Sequence, residues 1–167
     1  MEIIASEFHI EIIERTQNLI KNYNGESEFT LLVNCLFSMI IIPNEYNKTD
    51  SLNYLQSSIN QINSITEIIS SQGFIFTFNP THYDKSTQSY VSSDKTFGCF
   101  LKKLRNAISH LNTTPINSNE KWESIRFKDI NVRNKNNIEL DITLNYNQIK
   151  EIALYISNEF QREVLGL

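Results

Sequence analysis

A mainly α-helical fold with one β-hairpin set before the last helix is what this chain of 167 residues predicts. Two patterns carry that expectation. Apolar residues recur at three- and four-residue spacing through successive segments, as on the buried face of a helix. A single strict alternation, Ile138, Leu140, Ile142 and Leu144 against Glu139, Asp141 and Thr143, marks a half-buried strand late in the chain. No internal repeat and no low-complexity linker interrupts the sequence, so a single domain over residues 1–167 is expected.

The first helix is expected from Ala5 to Asn22, with Phe8, Ile12, Leu19 and Ile20 on its inner stripe. Tyr23-Asn24-Gly25 ends it, glycine supplying a left-handed cap. Ser27 and Glu28 open a second helix that stops at Pro43, because proline disfavours helical geometry in the residue before it. Apolar side chains run almost all round this helix, which predicts burial on most faces. A polar loop over residues 44–50 leads to a third helix, Ser51 to Ser70, closed by Gly73. Phe74, Phe76 and Phe78 alternate as in a short strand, and the stretch from there to Ser93 reads as polar loop.

Asp94 is the expected N-cap of a helix over Lys95 to His110. Phe97, Phe100, Leu101, Leu104, Ile108 and Leu111 form its apolar stripe, and Arg105, Asn106, Ser109 and His110 a contiguous polar arc. Trp122–Asn131 and Asn137–Asn145 are the expected hairpin strands, turning at Arg133–Asn137. A last helix, Asn147 to Val164, directs Ile149, Ile152, Ala153, Ile156 and Phe160 inward.

Hydrophobic residues make up 40% of the chain, enough for a core without disulfides or metal. A net charge of −4 and a pI near 5.4 argue against a protein that coats nucleic acid through bulk electrostatics. A local basic groove stays open, since Lys95, Lys102, Lys103 and Arg105 cluster. Cys35 and Cys99 sit in apolar stretches and read as buried free thiols, which with an N-terminus lacking a basic leader predicts a cytoplasmic protein. The apolar run Phe29–Ile42 is too short for a bilayer, so no membrane partner is expected.

Arg105 and His110 are separated by four residues, with a polar asparagine directly after the arginine. At 100° per residue they stand about 140° apart and about 7.5 Å apart along the helix axis, neighbours across a groove. Arginine offers a permanent charge with a planar donor fork, and histidine carries a proton near neutral pH. The structural alternative is a surface arginine and a histidine that complements the helix dipole. Other chemistries find less support. His9 and His82 have no cysteine or carboxylate at metal-ligand spacing, so no metal is expected. The glycines are scattered singly, without a phosphate loop, and no nucleophile elbow is present. Tyr83 and Tyr90 suit either base stacking or ordinary strand packing.

The spacing R-x(4–6)-H late in a helical chain resembles that of the HEPN superfamily, the higher eukaryotes and prokaryotes nucleotide-binding domain. Phe29 to Glu45, an apolar helix ending in proline, is similar to the early helix of a plasmid-encoded HEPN subfamily, as are the hairpin and terminal helix after the motif. The chain departs at Leu111, where that subfamily commonly has glycine; Asn112 is the expected site of a left-handed turn one residue later.

The resemblance implies an antiparallel helical bundle, a homodimer with motif helices lining a shared cleft, and metal-independent endoribonuclease activity without a cofactor. It also implies a toxin–antitoxin or phage-defence setting, with an antitoxin or regulatory protein as a further partner. Catalysis then falls to His110 for proton transfer, Arg105 for the phosphate charge and Asn106 for orientation. Lys102 and Lys103 guide the RNA backbone, with Ser109 in support. The rival expectation is an inactive module of the same fold that binds nucleotide, RNA or protein.

Overall fold

The computed structural model describes residues 5–23, 28–48, 51–72, 76–118, 121–131, 133–134 and 136–166. Gly25, Ser27, Gly73 and Phe74, expected at helix ends and in a strand, lie outside them. In order, the elements are α1 (Ala5–Asn22), α2 (Glu28–Tyr46), α3 (Asn53–Gln56), a 3-10 turn (Ile59–Gln61) and α4 (Asn63–Ser71). Then come β1 (Thr77–Phe78), β2 (Thr81–Asp84), β3 (Ser89–Ser92), α5 (Phe97–Ser109), β4 (Thr113–Ser118), β5 (Lys121–Ile130), β6 (Ile138–Asn145) and α6 (Tyr146–Leu165). The chain is mainly α. It divides into two compact units, residues 1–53 with 146–167 and residues 54–145.

In the first unit α1, α2 and α6 pack on one another. The buried line of α1 is Ile13, Gln17 and Ile20; of the expected stripe Ile20 lies on it, Ile12 is half-buried, and Phe8 and Leu19 are exposed. Gln17 explains the difference. Its amide donates to Ser157 Oγ at 2.8 Å and Asn158 Oδ1 at 2.7 Å, so a polar residue that apolar counting passes over holds α1 to α6. On α6 the five expected inward residues are all buried.

Helix α2 does not stop at Pro43 but carries it inside. A proline in a helix forfeits its own N–H bond. Here Asn44 Nδ2 donates to the Ile40 carbonyl at 2.7 Å and the Asn47 N–H reaches the Pro43 carbonyl at 2.9 Å, so neighbouring groups stay paired and the helix runs on to Tyr46. Only one face of α2 is fully buried, through Leu32, Cys35, Leu36, Met39, Ile40 and Pro43, against the expected burial on most faces. By length and composition Phe29–Tyr46 is long and apolar enough to cross a membrane. Cys35 and Cys99 are free thiols, Cys35 buried and Cys99 partly so.

In the second unit the expected helix over residues 51–70 is broken. Ile59 N–H donates to the Lys95 carbonyl at 3.1 Å and Phe97 N–H to the Ser57 carbonyl at 2.9 Å. Backbone committed to that pairing cannot also close helical turns, and Ser58 is extended at ψ 136°. Helix α5 lies close beside the same segment. A Cβ on Gly98 would meet the Leu55 carbonyl oxygen at 3.0 Å, so glycine permits the approach.

The expected hairpin strands are the middle of a larger sheet, with antiparallel order β1-β6-β5-β4. Phe127 lies opposite Ile142 and Ile125 opposite Leu144, all buried, and α5 packs on β5 and β6. Strand β6 is not half-buried. Glu139 and Asp141 are as enclosed as Leu140 and Ile142. Asp141 accepts two 2.7 Å bonds from the Arg126 fork, whereas Glu139 is used elsewhere. Strands β2 and β3, where a loop was expected, form a separate two-stranded ribbon. Its turn is built by Asp84, which accepts from Ser86 N–H at 2.8 Å, with Gln88 at φ 50°.

Candidate active site

Helix α5 begins two residues later than its expected start, and Thr96 rather than Asp94 caps it, its hydroxyl accepting from Cys99 N–H at 3.2 Å. Its last turn closes at His110. Leu111 N–H bonds the Ile108 carbonyl at 3.1 Å and Asn112 N–H the Ala107 carbonyl at 2.9 Å, the paired bonds of a left-handed helix stop. The left-handed residue is Leu111 itself, at φ 55°, and not Asn112. Leu111 is 85% exposed and Ile108 half-buried, so of the expected apolar stripe only Phe97, Phe100, Leu101 and Leu104 are fully buried, joined by Ala107.

This exit places His110 on the rim of a cleft of about 170 Å³, lined also by Asn106, Lys103, Asp129, Ile130, Asn131, Glu139, Thr81 and Tyr90. The strand register shifts here: Asp129 pairs with Leu140 and Ile130 with Ile138, which leaves Glu139 of β6 as the inserted residue. A bulge re-aims the side chains around it; Glu139, Asp129, Ile130 and Asn131 all line the cleft. Asn131 fixes the turn that follows. Its Oδ1 accepts from Arg133 and Asn134 N–H, both at 3.0 Å, while Nδ2 donates to Thr81 Oγ1 at 3.1 Å.

Of the six expected site residues the cleft gathers three, His110, Asn106 and Lys103. Arg105 is half-buried and off the lining, but its Nη2 donates to Asn106 Oδ1 at 3.0 Å, which ties the guanidinium to the cleft wall. Lys102 and Ser109 are exposed beside it. Lys103 departs from expectation. It is 6% exposed, hydrogen-bonded to Glu139, and 3.7 Å from Asp129 Oδ2. A cation so enclosed is not a solvated guide for a passing phosphate chain; it forms the floor of the cleft.

Asp129 and Glu139 escaped the sequence reading. Glu139 reads as a polar member of the alternating second strand and Asp129 as one residue of the first, so the only available hint is two carboxylates on strands expected to pair. Their chemistry diverges. Burial raises Asp129 above the usual carboxylate range; the Lys103 charge, the Asn106 hydrogen bond and His110 oppose this only in part, and Glu139 adds to it. Burial also pushes Glu139 upward. There the hydrogen bonds from Lys103 and Thr81, the Lys103 charge and the Asn131 amide outweigh it and hold the group below its usual value. One ammonium thus faces two carboxylates and satisfies mainly Glu139. Their surroundings push the two carboxylates in opposite directions.

A family model described as HEPN pEK499 p136 matches residues 1–164. A helical chain with an Arg–Asn–His helix end is thus placed in the HEPN class over almost its full length. The chain belongs to the HEPN pEK499 p136 family. No curated protein and no solved structure matches it.

Proposed function

We propose that this protein is a metal-independent endoribonuclease that cleaves RNA by attack of the ribose 2′-hydroxyl on the adjacent phosphate. The observation that carries the reading is the cleft at the end of α5. There His110 and Asn106 share an opening with Asp129, and Arg105 is bonded to Asn106. HEPN proteins are often ribonucleases, which supports the same assignment.

His110 takes the proton of the 2′-hydroxyl as its oxygen bonds to phosphorus. Arg105 binds the phosphoryl oxygens as their charge grows, its planar fork suited to two at once. The bond to the 5′-oxygen breaks and that oxygen receives a proton, leaving a 2′,3′-cyclic phosphate and a 5′-hydroxyl. Asn106 orients the arginine, Lys102 guides the backbone from outside and Ser109 supports the rim.

One histidine does not serve as base and acid in a single step. A homodimer in the HEPN antiparallel-bundle arrangement would supply a second His110 across its axis. Asp129 favours a second reading, in which one chain holds both proton carriers. A single domain acting in the cytoplasm, with an antitoxin or regulator as partner in a toxin–antitoxin or phage-defence setting, belongs to the same proposal. The rival is an inactive RNA-binding or protein-docking module.

Purified protein incubated with total RNA tests the reading. Fragments ending in cyclic phosphate, formed in the presence of chelator and absent from 2′-O-methylated RNA, are the expected result. Intact RNA, or a requirement for a divalent metal, overturns it.

A further inference from the structure

We propose that the β2–β3 ribbon is a nucleobase subsite, with Tyr90 and Tyr83 receiving an unpaired base beside the cleft and so directing the protein to single-stranded RNA. The inference rests on the ribonuclease reading for its ligand, but on different residues for its geometry.

Position is the first observation. Tyr90 lines the cleft together with His110, and Tyr83 is its direct partner across the strands.

Both rings stay partly exposed. Tyr83 is 40% and Tyr90 39% exposed, although aromatic side chains on a ribbon of this kind would gain by burial. They meet edge to face with centroids 5.4 Å apart. The Arg133 guanidinium lies 5.0 Å from the centre of the Tyr83 ring. Asn131, itself a lining residue, holds the Arg133 backbone, so cleft, cation and rings are built by one set of bonds. With the guanidinium over the Tyr83 ring, Tyr90 is the ring of the pair that meets the cleft, and an aromatic ring beside a cation suits a stacked base of any identity. A base can stack on protein only when it is free of its own helix, which excludes duplex RNA.

Binding of a fluorescent, fully 2′-O-methylated oligonucleotide tests this without turnover, using the whole chain. Tyr90→Ala should weaken single-strand binding by roughly five- to a hundredfold, the range for losing one stacked base. Tyr90→Phe should stay close to the unsubstituted protein, because the ring face is kept. The perfect duplex should bind more weakly and be indifferent to either change. Unchanged single-strand affinity in Tyr90→Ala, or equal losses for duplex and single strand, overturns the subsite. If the unsubstituted protein cleaves RNA while Tyr90→Ala binds as before, only the subsite fails. Tyr90-dependent binding with no cleavage of any RNA leaves the subsite standing and removes the nuclease. Tyr90→Leu, which keeps apolar bulk without a π face, should behave as Tyr90→Ala and guards against a folding artefact.

Discussion

The side-chain amide of Asn106 donates to the Asp129 carboxylate across 3.4 Å while its own oxygen accepts from Arg105 at 3.0 Å. The residue next to the arginine therefore joins that arginine to a buried acid on a different element. This gives the polar residue of the motif a physical task. Without Asn106, the Arg105 fork loses this fixed partner and Asp129 loses its neutral donor.

Asp129→Asn separates stability from activity. Burial raises the Asp129 pKa in the folded chain, so the native state binds the proton more readily than the unfolded one. Wild-type stability then declines as pH rises from the unfolded value, about 4, through the raised folded value. Above that, ionised Asp129 is a standing cost. The amide has no such charge and still accepts from Asn106. Melting curves should coincide near pH 3 and favour the variant at pH 7, while RNA cleavage falls about a hundredfold or more if Asp129 carries a proton. Lower stability at pH 7 with full cleavage would assign Asp129 to architecture alone.

Lys103→Met should act in the opposite sense. It leaves two enclosed carboxylates without their shared cation, at a cost of about 3–5 kcal/mol near pH 7. Both acids then hold protons more tightly in the folded chain than in the unfolded one. The variant should thus regain stability as pH falls through their raised values, and Glu139→Gln added to it should restore much of the loss at pH 7. Urea unfolding at pH 7 and pH 4 reads both effects. A Lys103→Met protein as stable as wild type at pH 7 would refute the buried cluster.

What was legible in the sequence was what local periodicity determines. The bounds of α1, the inward face of α6 and the β5 and β6 segments follow from apolar spacing that no distant partner alters. Elements decided by remote partners were not legible. Residues 57–59 leave the helix because Lys95 and Phe97 take their hydrogen bonds, and nothing local announces it. Strand β4 contains Pro115 and little alternation, and it exists by pairing with β5. The β2–β3 ribbon did have a local sign, Asp84 at a turn between Tyr83 and Tyr90, which its polar setting obscured. The motif gave Arg105, Asn106 and His110, while the acids facing them come from strands about 20–30 residues on, where charge alternation reads as solvent exposure.

For the reacting groups, His110→Ala should lower cleavage by about a hundred- to ten-thousandfold, with the fold intact because the side chain is exposed. Arg105→Lys should lose most of the activity as well. A single ammonium keeps the charge but cannot hold two phosphoryl oxygens in one plane. Initial rates on a defined oligonucleotide, with circular dichroism as the folding control, decide this. Full activity in either variant removes that residue from the reaction.

Leu111→Gly should stabilise the protein. Leu111 occupies the left-handed region at φ 55°, where a side chain costs about 1–2 kcal/mol. Its side chain is 85% exposed, so little packing is lost with it. Glycine gives back part of the gain by loosening the unfolded chain, by roughly 0.4–1 kcal/mol. The net is a rise of about 0.5–1 kcal/mol, or about 1–4 °C in Tm for a chain of this size. Leu111→Ala is the control, since it removes the same side chain but keeps a Cβ in the left-handed region and should gain nothing. The stop it would relieve also fixes His110, because the Asn112 carbonyl accepts from Lys128 N–H at 3.0 Å and anchors the exit of α5 to β5. Cleavage by Leu111→Gly should therefore stay within about twofold of wild type if that anchor, and not strain at Leu111, positions the imidazole. A stabilised variant that has lost its activity would show instead that strain at the helix end is part of how His110 works.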